Sequence, residues 1–550
     1  MRLRYLVILI PLAVACSQPD ARSPISEADA GSDLDAGASD GGGALDGGVA
    51  CGDGVVTGPG LVITTSGAMQ GTQTASGWAW LGVPYAKPPT RELRWKPPEP
   101  VECPAGIALA SMFGPKCPQL DSNKNVIGDE DCLTLNVWAP STATSSSRKP
   151  VMVFIHGGGD SVGSAAEQLA SGEYTYAGES LSKRDVVVVT IQYRIGMLGF
   201  LAHPLLSEES ERSVSGNYGL LDMIAALKWV QANITSFGGD PSQVTIFGES
   251  AGARSTCALV SSPLAAGLFH RAIIESGYCG QPAMSNRITS GETAVEKAGC
   301  STAQNPLACL RELSAEQIVL AFPEEIAIAG GAPDRYGPGV DGYVLPENPP
   351  DRIAAGRHNH VPVIIGSNHD ETSLAVPNIT TCDEYEKAIK AAFLTLSTQI
   401  LDHFPCATFT TPREGLVRVT TEARFICLAR RDARSFMAGQ TEPVFRYSFN
   451  RGLERGPAKG QGAFHGLELL YVFGSGMGSI VATNADRTLS TDVQGYWSRF
   501  ARTGDPNGDG AANWPQTEAN ASPLLSLDTT VSAVNDPFQG DCDFFDSLFP

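Results

Sequence analysis

The sequence predicts an α/β fold with a mostly parallel central sheet flanked by helices. Two observations carry that prediction. The first is a series of short apolar runs rich in β-branched residues: Val151-Met152-Val153-Phe154-Ile155, Val186-Val187-Val188-Val189-Thr190-Ile191, Val244-Thr245-Ile246-Phe247 and Val361-Pro362-Val363-Ile364-Ile365. Runs this short, with no polar alternation, suit strands buried on both faces. The second is the helical spacing between them. Over 220–233 the apolar residues Leu220, Leu221, Ile224, Leu227 and Val230 recur as one helix stripe. Strands alternating with helices argue for a wound sheet. Pro and Gly are dispersed from residue 53 onward, so 53–550 reads as one continuous body without a second linker.

The N-terminal segment is different. Arg2 and Arg4 precede an apolar stretch over 5–14, interrupted only by Pro11. It is too short to span a bilayer as a helix and fits a signal peptide. Two endings are readable. Ala13-Val14-Ala15 is a small-residue cleavage site, and Ala15-Cys16-Ser17 resembles a bacterial lipobox in which Cys16 becomes a lipidated first residue. Ala13 stands where such motifs usually carry Leu. Both endings predict export, either as a membrane-anchored lipoprotein of the envelope or as a secreted protein. Residues 1–16 are therefore read as the signal. Residues 17–52 are Gly, Ala, Asp and Ser with almost no large apolar side chain. They cannot bury enough surface to offset chain entropy. They read as a flexible acidic tether, or as a leader with no spacing role.

Of the 13 cysteines, setting Cys16 aside leaves an even 12, consistent with an oxidising compartment. Cys117 with Cys132, and Cys300 with Cys309, are expected as disulfides; the other pairings stay open. The absence of a Cys-x-x-Cys spacing argues against zinc. The net charge of −20 argues against a nucleic-acid partner, because phosphate binding needs a basic surface.

The chemistry centres on Gly248-Glu249-Ser250-Ala251-Gly252, which follows the 244–247 run and precedes a small, apolar, helix-compatible segment. Strand, sharp turn and helix are the context in which Gly-x-Ser-x-Gly presents a strained, exposed serine. Ser250 is the candidate nucleophile. The 151–155 run ends in His156-Gly157-Gly158-Gly159. Glycine N–H groups there can approach a carbonyl, and with the N–H of Ala251 they form a candidate oxyanion hole from Gly158, Gly159 and Ala251. A phosphate-binding loop is disfavoured, since no Gly-Lys-Ser/Thr follows.

Further segments give a resemblance. Leu81-Gly82-Val83-Pro84-Tyr85-Ala86-Lys87-Pro88-Pro89, Glu130-Asp131-Cys132-Leu133-Thr134-Leu135-Asn136-Val137-Trp138, Gln192-Tyr193-Arg194-Ile195-Gly196, Gly216-Asn217-Tyr218-Gly219-Leu220-Leu221-Asp222 and Phe237-Gly238-Gly239-Asp240-Pro241 stand in order along the chain. Together they resemble the type-B carboxylesterase family, which includes the cholinesterases and a group of lipases. The resemblance covers nearly everything after the tether and implies an α/β-hydrolase fold. It also implies the remaining catalytic residues. Gly366-Ser367-Asn368-His369-Asp370-Glu371 matches the family's acid segment and makes Glu371 the acid, with Asp370 the nearest competitor. Gly462-Ala463-Phe464-His465-Gly466-Leu467-Glu468 matches its histidine segment and makes His465 the base. His156 is expected to support the glycine loop. The implied activity is hydrolysis of a small carboxylic ester through an acyl-enzyme, with no metal and no cofactor. A lipase with long-chain specificity is the alternative within the class. A non-catalytic adhesion-type relative is opposed by the intact Ser250, Glu371 and His465.

Several residues depart from the family pattern. Asp160 follows the glycine loop where relatives carry an uncharged residue, and is expected to point to solvent or pair locally. Met223 and Gln192 replace a common Gln and Asn and look tolerable. The short Cys117–Cys132 loop has no Trp, which argues against a quaternary-ammonium site. Asp505-Pro506-Asn507-Gly508-Asp509-Gly510 resembles the start of a calcium loop, but Gln516 stands where the twelfth-position Glu is needed, and a turn is preferred. Asn233, Asn378 and Asn520 lie in glycosylation-like triplets, which carry little weight if the lipobox reading and the bacterial origin it implies hold.

Overall fold

In the computed structural model, the residues described are 58–102, 104, 106–323, 327–330, 334–479, 482–508, 510–518 and 522–548. The signal segment, Cys16, the tether and Asn520 lie outside them.

The apolar runs become the middle of an 11-stranded sheet. In chain order its strands are β1 (Thr72–Gln73), β2 (Gly77–Pro84), β3 (Thr134–Pro140), β4 (Lys149–Ile155), β5 (Val187–Ile191), β6 (Gly239–Glu249), β7 (Arg271–Glu275), β8 (Val363–Asn368), β9 (Val444–Phe449), β10 (Leu524–Leu527) and β11 (Ser532–Val534). Across the sheet they run β11-β10-β9-β8-β7-β6-β4-β5-β3-β2-β1. From β5 through β10 every neighbouring pair is parallel, while β1, β2, β3 and β11 pair antiparallel at the edges.

The absence of polar alternation has a direct cause. Val151, Val153 and Ile155 of β4 enter one core with Val244 and Ile246, whereas Met152 and Phe154 enter a second core with Phe247 and Ile273. Both faces of each central strand are therefore covered. Helices α1 (Tyr218–Asn233) and α2 (Ala251–Ser261) cover the first face. Helix α5 (Asn484–Thr503) covers the second, through Trp497 and Phe500. Helices α3 (Met284–Lys297), α4 (Cys427–Gly439) and α6 (Gln539–Leu548) lie further along the chain.

Two strand boundaries differ from those read in the sequence. Val186 is buried but precedes β5. The last run begins pairing at Val363 because Pro362 has no N–H for the ladder; its carbonyl still accepts from Ala272 at 3.1 Å. Strands β2 and β3 do not stand out as continuous apolar runs, since Gly77 and Gly82 punctuate one and Thr134 and Asn136 the other.

The described residues hold the disulfides Cys117–Cys132 and Cys300–Cys309, and also Cys257–Cys279, Cys382–Cys406 and Cys427–Cys542. Cys257–Cys279 ties α2 to the segment after β7, and Cys427–Cys542 ties α4 to α6. Among the described residues no helix is long and apolar enough to cross a membrane. Asp505 and Asn507 form a turn: Asn507 N–H donates to Asp505 at 2.9 Å, and the Asn507 side chain accepts from the Trp514 N–H at 2.7 Å. Asn233 is buried, with its amide donating to Thr65 at 2.9 Å and to the Trp229 carbonyl at 2.8 Å, so it is no glycan acceptor.

Candidate active site

Parallel register brings the candidate residues to one edge. Ile155 at the end of β4 stands opposite Gly248 of β6, and Glu249 stands opposite Glu275 of β7. Beyond these carboxyl ends come the glycine loop, Ser250 and, after β8, Glu371. Open parallel sheets place their sites at such an edge.

Ser250 joins β6 to α2 with φ 58° and ψ −120°. That left-handed backbone is strained for a non-glycine residue and persists only where its surroundings enforce it. Here the Ser250 N–H donates to the Glu275 carbonyl at 2.9 Å, and the Ser250 carbonyl accepts from Arg254 N–H at 3.0 Å. The flanking glycines follow from close approach. A Cβ on Gly248 would stand 2.6 Å from the Gly252 backbone, and one on Gly252 would stand 2.1 Å from the Ile155 carbonyl oxygen.

The glycine loop lies against Ser250: a Cβ on Gly157 would be 3.0 Å from that of Ser250. His156 Nδ1 and the Gly157 carbonyl are 2.9 Å apart, and the ring stacks on Tyr193 at 4.3 Å. Burial pushes His156 down to about 4, so it is neutral at neutral pH and donates from Nδ1. Tyr193 in turn donates to the His156 carbonyl at 2.6 Å. Gln192 braces the same loop from below, accepting from Ala165 N–H at 3.1 Å and donating to Ser164 at 2.8 Å. Among the described residues, the N–H groups of Gly158, Gly159 and Ala251 donate to no protein acceptor.

Glu371 is 1% exposed and doubly engaged. One oxygen accepts from Asn368 N–H at 2.7 Å, and the other lies 2.6 Å from His465 Nδ1. His465 N–H also donates to the Glu371 carbonyl at 3.2 Å. Asp370 points elsewhere: it accepts from Ala463 N–H at 3.0 Å and meets the exposed His369 at 3.1 Å. The opposite nitrogen of His465, Nε2, lies 3.2 Å from the carboxylate of Glu249, the residue preceding Ser250. Phe425, carried on a π-helical turn over Glu422–Ile426, packs on the imidazole at 5.0 Å.

Three buried acids join this constellation, and their roles were not legible in the motifs. Glu249 is pushed up to about 7, by burial first and by the Glu371 charge, against the pull of His465. Glu275 is pushed up to about 8 by burial, although Trp497 Nε1 donates to it at 2.5 Å. Glu468 is raised well above the carboxylate range by burial and by its acidic neighbours; Ser276 donates to it at 3.2 Å, and the Asn368 amide donates to its other oxygen. On His465, burial acts downward, but the carboxylates of Glu249 and Glu371 outweigh it and raise the imidazole. The signals were present as the middle residue of Gly-Glu-Ser and the last of His-Gly-Leu-Glu. What the sequence lacks is their convergence.

Asp160 is 1% exposed, so of the two expectations for it, facing solvent or pairing locally, the first is overturned. Arg194 and Asp222, from two of the family-like segments, form a buried bidentate pair with both contacts at 2.7 Å. Among the described residues no group of three or more His, Cys, Asp or Glu is placed to hold a metal.

Comparison with known proteins bears on this geometry. The carboxylesterase family model matches residues 59–545. The chain is 35% identical to a fumonisin B1 esterase of Sphingopyxis macrogoltabida over 474 residues, covering 83% of this chain and 84% of that protein. It is 35% identical to the para-nitrobenzyl esterase of Bacillus subtilis over 497 residues, covering 86% and 96%. A solved PNB esterase superposes with a TM-score of 0.75 at 34% identity, over 88% of this chain and 99% of that one. With its α/β-hydrolase sheet, its serine elbow and these relatives, the chain belongs to the carboxylesterase family and is a carboxylic ester hydrolase.

Proposed function

We propose that the protein is an exported serine esterase working through Ser250, His465 and Glu371. The observation that carries this reading is the 2.6 Å contact between His465 Nδ1 and Glu371, which leaves Nε2 on the side of the peptide bearing Ser250. Glu371 fixes the Nδ1–H tautomer and stabilises the imidazolium. His465 Nε2 takes the proton from Ser250 Oγ as Oγ attacks the ester carbonyl. The N–H groups of Gly158, Gly159 and Ala251 receive the developing oxyanion; one such donor is typically worth about 3 kcal/mol of barrier. His465 returns the proton to the departing alcohol, and water then cleaves the acyl-enzyme by the same steps. The base must be neutral for this. Protons held on Glu249 and Glu468 weaken the negative field on the imidazole and so favour its neutral form.

The test is turnover of a short-chain aryl ester by the purified protein beside Ser250→Ala. Loss of about four or more orders of magnitude is expected in the variant; equal, negligible turnover by both sinks the reading. A series of acyl chain lengths then separates a general esterase from a lipase. Export and anchoring through Cys16 rest on the charged, apolar and small-residue order of residues 1–16. Mass analysis of the mature N-terminus checks them. A start at diacylated Cys16 is expected, and an unmodified Cys16 ends the anchor.

A further inference from the structure

Asp160 is the first residue beyond the glycine loop, and its surroundings suit a specific task. Its backbone has φ 57°, left-handed for a residue with a side chain, and its carbonyl accepts from Gly196 N–H at 2.6 Å. Its carboxylate faces Gly337. A Cβ there would stand 2.5 Å from Asp160 Oδ2 and 3.2 Å from Arg287 Nη2, so acid and guanidinium converge on the same glycine. The Asp160 charge also stabilises the guanidinium of Arg254. Arg254 lies in the first turn of α2, with its N–H on the Ser250 carbonyl. The two arginines are themselves anchored. Arg254 donates to Asp334 at 2.8 Å and stacks on Tyr278 at 5.1 Å, and Arg287 of α3 donates to the Asp334 carbonyl at 2.7 Å. Arg254 and Arg287 are 8% and 2% exposed.

A run of three glycines has much conformational freedom to lose, whereas an oxyanion hole works because its donors are in place before charge develops. A lone carboxylate beside that hole would oppose the oxyanion. One that shares the Gly337 contact with Arg287 and acts on the Arg254 charge does not, and parting it from them would leave a buried charge uncompensated. We propose that Asp160 is a positioning residue: its buried carboxylate, held between Arg254 and Arg287, locks the chain after Gly159 to the nucleophile helix and so sets the Gly158 and Gly159 donors. This rests on the oxyanion role proposed above for those glycines.

The test uses the mature full-length protein and Asp160→Asn, which keeps the size and the tolerance for left-handed backbone but removes the charge. Sites are counted with a phosphonate that stays on Ser250. The expected result is a fall in kcat per titrated site of about tenfold or more, as for a donor displaced by a fraction of an ångström, with KM within about twofold. Amide exchange over 156–163 in the free protein is expected to quicken severalfold. Arg287→Gln should reproduce both effects, and the double variant should lose no more than either single one. Unchanged exchange and kcat in Asp160→Asn, even with a lower melting temperature, overturn the proposal; so do losses that multiply in the double variant. Should Asp160→Asn fail to fold, Arg287→Gln decides by the same two readouts. A wild type that turns over no ester overturns the proposed function instead, and the exchange comparison still decides whether Asp160 holds the loop.

Discussion

Asp486 and Glu468 are both buried acids, 18 positions apart in sequence, and their environments drive them in opposite directions. Asp486 caps α5. It accepts from Arg451 at 2.7 Å, from Tyr471 at 2.9 Å and from Thr483 N–H at 2.6 Å. Burial acts upward on it, but these donors prevail and hold it down to about 2. Glu468 has an amide, a hydroxyl and three acidic neighbours, and is pushed up. A buried carboxylate matched by a cation is a structural ion pair. Carboxylates crowded around one imidazole share protons, and shared protons are what an acid–base site needs. The register explains the crowding, since Glu249 and Glu275 are direct partners on adjacent strands.

The comparison can be broken from either side. The largest effect is expected at the triad. Glu371→Gln keeps the shape but removes the charge that orients His465, and should lower kcat by about three to four orders of magnitude with folding intact; a loss under tenfold would make Asp370 or Glu249 the working acid. On the structural side, Asp486→Asn removes the buried charge partner of Arg451 and leaves it only the exposed Glu454 at 2.8 Å. Stability should fall by about 3–5 kcal/mol in denaturant titration, with kcat per titrated site unchanged. The same pair sets an acid limit. Because the folded Asp486 is depressed to about 2, its stabilisation is complete above the unfolded value near 4 and is lost as pH falls towards 2. Asp486→Asn should therefore flatten stability against pH in that window and nowhere higher.

Two smaller effects probe the crowded side. Glu249 is raised to about 7, so around neutral pH it is ionised in part; Glu249→Gln removes the ionised form that raises His465, and the imidazole should deprotonate more readily. The acidic limb of kcat/KM should move to lower pH by about one unit; a shift to higher pH contradicts the assignment. Glu275 is raised in the folded state to about 8, so it costs stability progressively as pH rises from the unfolded value near 4 through 8. Glu275→Gln, which keeps the acceptor for Trp497, should raise the melting temperature at pH 8 and leave it unchanged at pH 4. Equal shifts at both would place the effect in packing.

Much of the site was legible because it is local. The elbow is encoded by five consecutive residues, since the two glycines answer contacts with Ile155 and with each other across one turn. The central strands were legible because burial on both faces removes polar alternation. The antiparallel strands beside them were not: β3 is buried throughout but carries Thr134 and Asn136, and Asn136 is satisfied by accepting from Gly82 N–H and donating to Thr190, both at 3.0 Å. Glu371 and His465 were legible only through family-like segments. No spacing rule joins residues 94 positions apart, and the choice of Glu371 over Asp370 is made by which carboxyl group the turn after β8 aims at the ring.

By itself, then, the sequence determined the sheet's core through side-chain periodicity and the place of the candidate nucleophile through a short turn, and its family-like segments determined the order of the candidate triad. Tertiary structure alone decided which cysteines beyond the two expected pairs are joined, that Asp160 is buried near arginines, and that three glutamates act on one histidine. The physical reason is range. Conformational preferences act between residues a few positions apart, whereas disulfides and the charge of a buried group depend on whatever stands within a few ångströms, and here the carboxylates acting on His465 come from β6, the turn after β8 and the segment that follows His465 itself.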